Sequence, residues 1–188
     1  SVITKCRIIP SNSRDNWNYT RSLVAEYSPY YESGGKLTYQ INDELSAQLH
    51  ILNGWQNISD DRDPAAGMQL AWSPTKQSTL TYNNFIGNDH GLRVFNELIG
   101  KTDITENWSA ALQLDLGHQE RRDEDSAWWH GWALLSKYKI DDTFALGGRI
   151  ERYSDPHQVL IQPPSEKSFR VVSMSLNLDI ELSEFLLW

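Results

Sequence analysis

Cysteine is almost missing: Cys6 is the single thiol in 188 residues. One thiol builds neither an internal disulfide framework nor a cysteine-based zinc site. Positive charge is short too, with 17 Lys and Arg against 25 Asp and Glu and a formal net charge of −8. Phosphate binding requires a basic face, so nucleic acid is not an expected partner. No apolar run approaches the ~20 residues of a membrane-spanning helix. No low-complexity segment and no Pro/Gly/Ser-rich linker divides the chain. The opening SVITKCRIIP has no sustained apolar core and no small-residue cleavage site, and ITKC does not look like a lipoprotein attachment site. These absences leave two classes open. One is a soluble all-β protein. The other is a membrane β-barrel, whose polar lumen keeps the average hydropathy low.

What the chain does have is alternation. Leu45, Ala47, Leu49 and Ile51 alternate with Ser46, Gln48 and His50. Trp108, Ala110, Leu112, Leu114 and Leu116 alternate with Ser109, Ala111, Gln113 and Asp115. Val172, Met174, Leu176, Leu178 and Ile180 do the same with Ser173, Ser175, Asn177 and Asp179. A period of two argues for strands with one apolar and one polar face. It predicts nine strands, at 34–41, 45–55, 65–72, 77–86, 91–101, 108–118, 128–140, 143–153 and 169–180, with a tenth starting near Phe185. Only residues 20–27 read as a short helix.

The connections alternate in length. Short ones are expected at 42–44, 73–76, 102–107, 141–142 and 181–183, and long ones at 56–64, 87–90, 119–127 and 154–168. In an up-and-down meander, successive connections fall on opposite ends. Short turns at one end and long loops at the other are the habit of outer-membrane barrels, whereas a Greek-key sandwich has no need of them. Eight tryptophans and eight tyrosines fit the same picture. Tyr39, Trp72, Trp108, Tyr138 and Phe144 lie at strand ends beside short turns; Trp55, Trp128, Trp129 and Tyr153 lie beside long loops. Amphipathic rings favour the membrane–water interface, so these are read as two aromatic girdles.

The segment DNWNYTRSLVAEYSPYYESGGKLTYQINDELSAQLHILNGWQ resembles the OmpL-like β-barrel porins of Gram-negative bacteria, the second such family. The shared pattern is TRSLV at 20–24, SPYY at 28–31, NDELS at 42–46 and NGW at 53–55. GWALLSKYKIDDTFALGGRIERYSD, at 131–155, is similar to a late hairpin of that family. The resemblance covers roughly residues 15–155. It implies an outer-membrane, porin-like protein and brings no catalytic residue with it. Residues 1–14 do not match the family's preceding strand, and the chain ends in SEFLLW, as if inside a strand. Single-chain bacterial barrels have an even number of strands. The expectation is therefore an antiparallel transmembrane β-barrel present in part, with residues 1–33 an N-terminal segment of unassigned structure and 34–188 the strands. A complete ten-stranded barrel closing on Trp188 is the alternative.

Strand phase nominates the lumen wall: Lys36, Thr38, Gln40, Gln48, His50, Thr79, Thr81, Arg93, Glu97, Gln113, Asp115, Arg149, Glu151, Asn177 and Asp179. His50 and His118 are read as lying on polar faces. His90, His130 and His157 are scattered, and no histidine pair has helical metal-binding spacing. Asp60, Asp61 and Asp63 lack the spacing and glycine of an EF-hand. ERRDED at 120–125 reads as an exposed loop tip. No nucleophile-elbow motif surrounds a serine, and Ser126 with His130 or Asp89 with His90 makes no triad. The sequence thus points to a non-enzymatic channel without metal or cofactor. Its partners would be outer-membrane lipid and small hydrophilic solutes, and its oligomeric state is open. The alternatives are a soluble or surface β-protein that binds a ligand or glycan, and a plugged barrel serving as scaffold or adhesin.

Overall fold

The computed structural model describes residues 2–4, 17–29, 32–56, 64–122, 124–162, 168–183 and 186–187. Its elements are β1 (Val2–Thr4), α1 (Leu23–Tyr27), β2 (Glu32–Gln40), β3 (Leu45–Leu52), β4 (Ala65–Thr75), β5 (Ser78–Asn88), β6 (Leu92–Asp103), β7 (Trp108–Gln119), β8 (Ala127–Lys139), β9 (Phe144–Asp155), β10 (Phe169–Ser183) and β11 (Leu186–Leu187). The strands form one sheet in sequence order, each antiparallel to the next. Among the described residues β1 and β11 are its two edges, so the sheet is an open portion of a barrel. The nine expected strands are β2 to β10, and the expected division at 33/34 falls inside β2. The stretch expected at 20–27 holds α1, which is capped at its N-terminus by Ser22, whose hydroxyl accepts from the Ala25 N–H at 3.1 Å.

The turns at one end share a chemistry. Asn42 Oδ1 accepts from the N–H groups of Glu44 and Leu45, at 2.9 and 2.8 Å. Asp141 Oδ1 does the same for Thr143 and Phe144, both at 2.8 Å. The hydroxyls of Thr75 and Thr105 accept from Gln77 and Asn107. Such local side-chain bonds fix tight turns. Pro74 has no N–H for the ladder, and the β4–β5 register slips there, between Trp72 and Thr75. One expected long connection is short: β5 and β6 are joined by Asp89, His90 and Gly91 alone, closed by Gly91 N–H to Asn88 Oδ1 at 3.0 Å. Gly91 has φ +144°, which excludes a side chain. The loop asymmetry therefore rests on 53–64, 120–126 and 156–168.

Burial is inverted across the sheet. The apolar phase is exposed, as at Leu37, Leu49, Ile51, Leu114 and Leu176, the last at 74 %. The polar phase is buried, with Gln113 and Glu151 each at 1 %. A bare flat sheet would expose both faces; here the polar face is the covered one. Few polar residues interrupt the outward phase. Tyr82, Asn84 and Asn96 bond to one another there, Tyr82 Oη donating to Asn96 Oδ1 at 2.6 Å and Asn84 Nδ2 at 3.1 Å. Arg152 and Arg170 stand near the long-loop end, exposed.

Candidate functional site

Inward side chains meet in cross-strand rows. In one row Gln48, Gln69, Asn83, Glu97 and Asp115 are successive partners along β3 to β7. Gln69 Nε2 donates to Asn83 Oδ1 at 2.8 Å, and Asn83 Nδ2 donates to Glu97 Oε2 at 2.7 Å. From the next row Gln113 Nε2 donates to Glu97 Oε1 at 2.8 Å and to Asp115 Oδ1 at 3.4 Å. Amide N–H groups here find amide and carboxylate oxygens, as burial demands of polar groups.

Towards the long-loop end the inward phase turns aromatic. Trp55, from the connection after β3, sets its ring edge-on to Phe85 and Phe95, with centroids 5.1 and 5.4 Å away, and to Trp129 at 6.4 Å. Arg93 lies over Trp55 at 5.1 Å, pairs with Asp89 at 2.6 Å and donates from Nε to Gln119 Oε1 at 2.6 Å. Trp129 has room because Gly117 faces it; a Cβ on Gly117 would overlap the indole. Asp155 accepts the N–H groups of Val159, Leu160 and Ile161 at 2.8–3.0 Å, which ties residues 159–161 down against this cluster.

The β7 to β10 wall is covered by the chain itself. Residues 17–29 run along its inward face. Near the short-turn end a Cβ on Gly147 would overlap the Trp17 carbonyl, so glycine is what lets the segment approach. Asn18 Nδ2 donates to Ser175 Oγ at 3.2 Å and to Asn177 Oδ1 at 2.7 Å. At mid-height Arg149 donates to the Thr20 carbonyl at 2.6 Å and to its hydroxyl at 3.0 Å. Glu151, paired with Arg149 at 3.1 Å, accepts the Leu23 N–H at 2.7 Å. α1 packs on β7, β8 and β9 with Val24 fully buried, where the inward phase offers the small, fully buried Ala133. Near the long-loop end Tyr27 meets the Tyr153 ring at 5.4 Å. From Gly147 to Tyr153 the wall rises about 20 Å at ~3.4 Å per residue.

The nominated wall residues are placed as follows. His50, Thr81, Arg93, Glu97, Gln113, Asp115, Arg149 and Glu151 are buried. Gln48, Asn177 and Asp179 are half-buried, and Lys36, Thr38, Gln40 and Thr79 are exposed. Asp179 pairs with Lys137 at 2.9 Å, a base that phase alone did not single out. His118 is a correction: it shares the phase of Leu112, Leu114 and Leu116 and stacks on Trp128 at 4.4 Å. Of the girdle residues, Tyr39, Trp72, Trp108, Trp128, Tyr138 and Phe144 are exposed. Trp55 and Tyr153 are corrected. Tyr153 is 1 % exposed, Trp55 faces Phe85 and Phe95, and Trp129 is buried with them, so these three form an inner cluster and meet no lipid interface. The phase of β8 and β9 already carried that signal, since Trp129 is in step with Ala133, and Tyr153 with Glu151.

Cys6, Asp60, Asp61 and Asp63 lie outside the described residues. Among the described residues no group of His, Cys, Asp and Glu is arranged to hold a metal ion. Outside the strands, Asp142 in the β8–β9 turn accepts from Lys139 Nζ at 2.8 Å, which holds its carboxyl below the usual range. The arrangement offers a polar, hydrogen-bonded face and an apolar outer one, with the means to line a water path.

A family model described as "Putative beta-barrel porin-2, OmpL-like" matches residues 11–188. No curated protein and no solved structure matches the chain significantly.

Proposed function

The chain belongs to the OmpL-like β-barrel porin-2 family, and on that premise we propose that it walls an outer-membrane channel for passive diffusion of small hydrophilic solutes or ions. The observation that carries this reading is the inversion of burial across the sheet. In water, Leu49, Ile51, Met174 and Leu176 on one continuous face would be a large unfavourable exposure. In a bilayer the same face meets acyl chains, and the backbone is satisfied strand to strand. The opposite reading, a soluble or surface protein that binds a ligand or glycan, needs polar residues on the outward phase. From Trp108 to Leu116 that phase of β7 carries none.

Passage needs no catalytic group and no cofactor. Polar side chains replace part of a solute's hydration as it passes, and fixed charges bias which ions enter. The inward phase holds Glu32, Glu97, Asp103, Asp115, Glu151, Asp155, Asp179 and Glu181 against Lys36, Arg93, Lys101, Lys137, Lys139 and Arg149. A weak cation preference follows, since lining charge concentrates counter-ions in a narrow water path.

Cell fractionation followed by detergent extraction tests the membrane assignment: the protein should sediment with the outer membrane and leave it only in detergent. Recovery from the soluble fraction without detergent would sink the reading. Reversal potential across a planar bilayer under a salt gradient tests the charge bias, and an anion preference refutes it.

A further inference from the structure

We infer that residues 17–29 are the constriction of this passage, an internal strip seated on β7 to β10 whose free side sets what can pass. The inference rests on the channel reading above. Its observations are separate: they concern where the polar wall of β9 and β10 spends its bonds.

In a bare channel wall, Arg149 and Glu151 would face water. Both are buried, with both terminal nitrogens of Arg149 donating to Thr20 and one oxygen of Glu151 accepting the Leu23 N–H. Asn18 takes up Ser175 and Asn177 in the same way. The contacts are not confined to a mouth. They begin at Gly147, close to the short turn, pass the middle of β9 and end at Tyr153 beside the long loops. The wall is shaped for the strip, with Gly147 under the Trp17 carbonyl and Ala133 fully buried on the face where α1 packs.

The strip has two sides. Val24, Ala25 and Ser22 are buried against the wall. Tyr19, 72 % exposed, and Glu26 point away from it. A solute moving along the concave face meets those two side chains rather than Arg149 and Glu151. Tyr19 supplies bulk, and Glu26 supplies a carboxylate that pairs at 3.7 Å with Arg21 of the same strip. The size limit and part of the charge bias are therefore written in the N-terminal segment, not only in the strands.

Thiol modification tests this without disturbing the seat. In the full-length protein carrying Cys6→Ser, Tyr19→Cys and Glu26→Cys are made singly and reacted with a bulky cationic methanethiosulfonate during planar-bilayer recording. Single-channel current should fall by half or more at both positions. Val24→Asp places a charge in the buried seat and should release the strip, raising conductance several-fold and admitting larger neutral solutes in liposome swelling. Unchanged current after modification at both positions, in a channel that conducts, overturns the constriction and leaves the channel reading standing. If neither the Cys6→Ser parent nor folded Val24→Asp conducts, both readings are overturned. A silent parent made conducting by Val24→Asp supports the inference in its strongest form, a strip that closes the path. If Val24→Asp fails to assemble, the two modification results decide alone.

Discussion

The inward wall of β4 to β7 and that of β9 and β10 solve one problem in two ways. Both carry polar side chains on the inward phase, and at mid-height in both most of those groups are removed from bulk water. On β4 to β7 the rows close among themselves: Gln69 to Asn83, Asn83 to Glu97, Gln113 to Glu97. On β9 and β10 the rows are completed by residues more than 120 positions away in sequence, through Leu23 to Glu151, Thr20 to Arg149 and Asn18 to Asn177. The same alternation therefore conceals a finished surface and a docking surface. What separates them is the source of the partners. The docking wall has Gly147, with Ala133 on neighbouring β8, where residues 17–29 approach, whereas Gly117 on the other wall makes room for Trp129.

The two walls should be alike only on their outer side, and that gives the largest expected effect. Leu114→Arg on β7 and Leu176→Arg on β10 each put a charge on the exposed apolar phase. Each should destabilise the folded protein by about 2–4 kcal/mol near the bilayer midplane. Chemical unfolding in lipid vesicles measures it. A cost at Leu114 with none at Leu176 would mean that β10 does not meet lipid and that the comparison is between a membrane wall and something else.

A smaller effect should separate the inner faces. Glu97→Leu removes the acceptor of Asn83 and Gln113 and leaves buried donors, at a cost of about 1–3 kcal/mol. It should lower the unfolding midpoint without exposing residues 17–29. Asn18→Ala removes the bonds to Ser175 and Asn177, worth about 1 kcal/mol. It should leave the sheet's midpoint nearly unchanged and raise hydrogen exchange of the segment's backbone a few-fold. If both variants loosen sheet and segment together, the two walls are one cooperative unit.

Much of this was legible in the sequence, for reasons that set its limit. Alternation marks a strand and its faces, so β2 to β10 and the burial of inward residues such as His50, Gln113 and Glu151 follow from phase. Turn residues such as Asn42 and Asp141 mark strand ends because their side chains act locally. Aromatic residues at strand ends are less informative. Trp128 and Trp129 are neighbours in sequence on opposite faces, and only the second joins the inner cluster. The docking of residues 17–29 was not legible. Its bonds join distant positions, and its signal, small residues at inward positions of β8 and β9, reads equally as a weak strand until the partner is seen.

The smallest effect belongs to a charge that touches neither wall. Asp142 and Lys139 pair at the β8–β9 turn, both exposed, where water and salt screen most of the attraction. The Asp142 carboxyl is held below its usual value, first by the hydrogen bond from Lys139 and then by its charge. A depressed folded-state value means that the pair's contribution is fully present above the unfolded-state value and is lost as pH falls through the folded one. Asp142→Asn should therefore lower thermal stability slightly at pH 7, and wild type and variant should converge in acid, once the wild-type carboxyl is protonated. Melting curves at the two pH values measure the difference. A gap that persists or widens in acid would mean that the turn acts through its backbone geometry and not through its charge. Against that control, shifts produced by Glu97→Leu and Asn18→Ala can be assigned to the walls, because a perturbation confined to the turn leaves segment exchange and conductance unchanged.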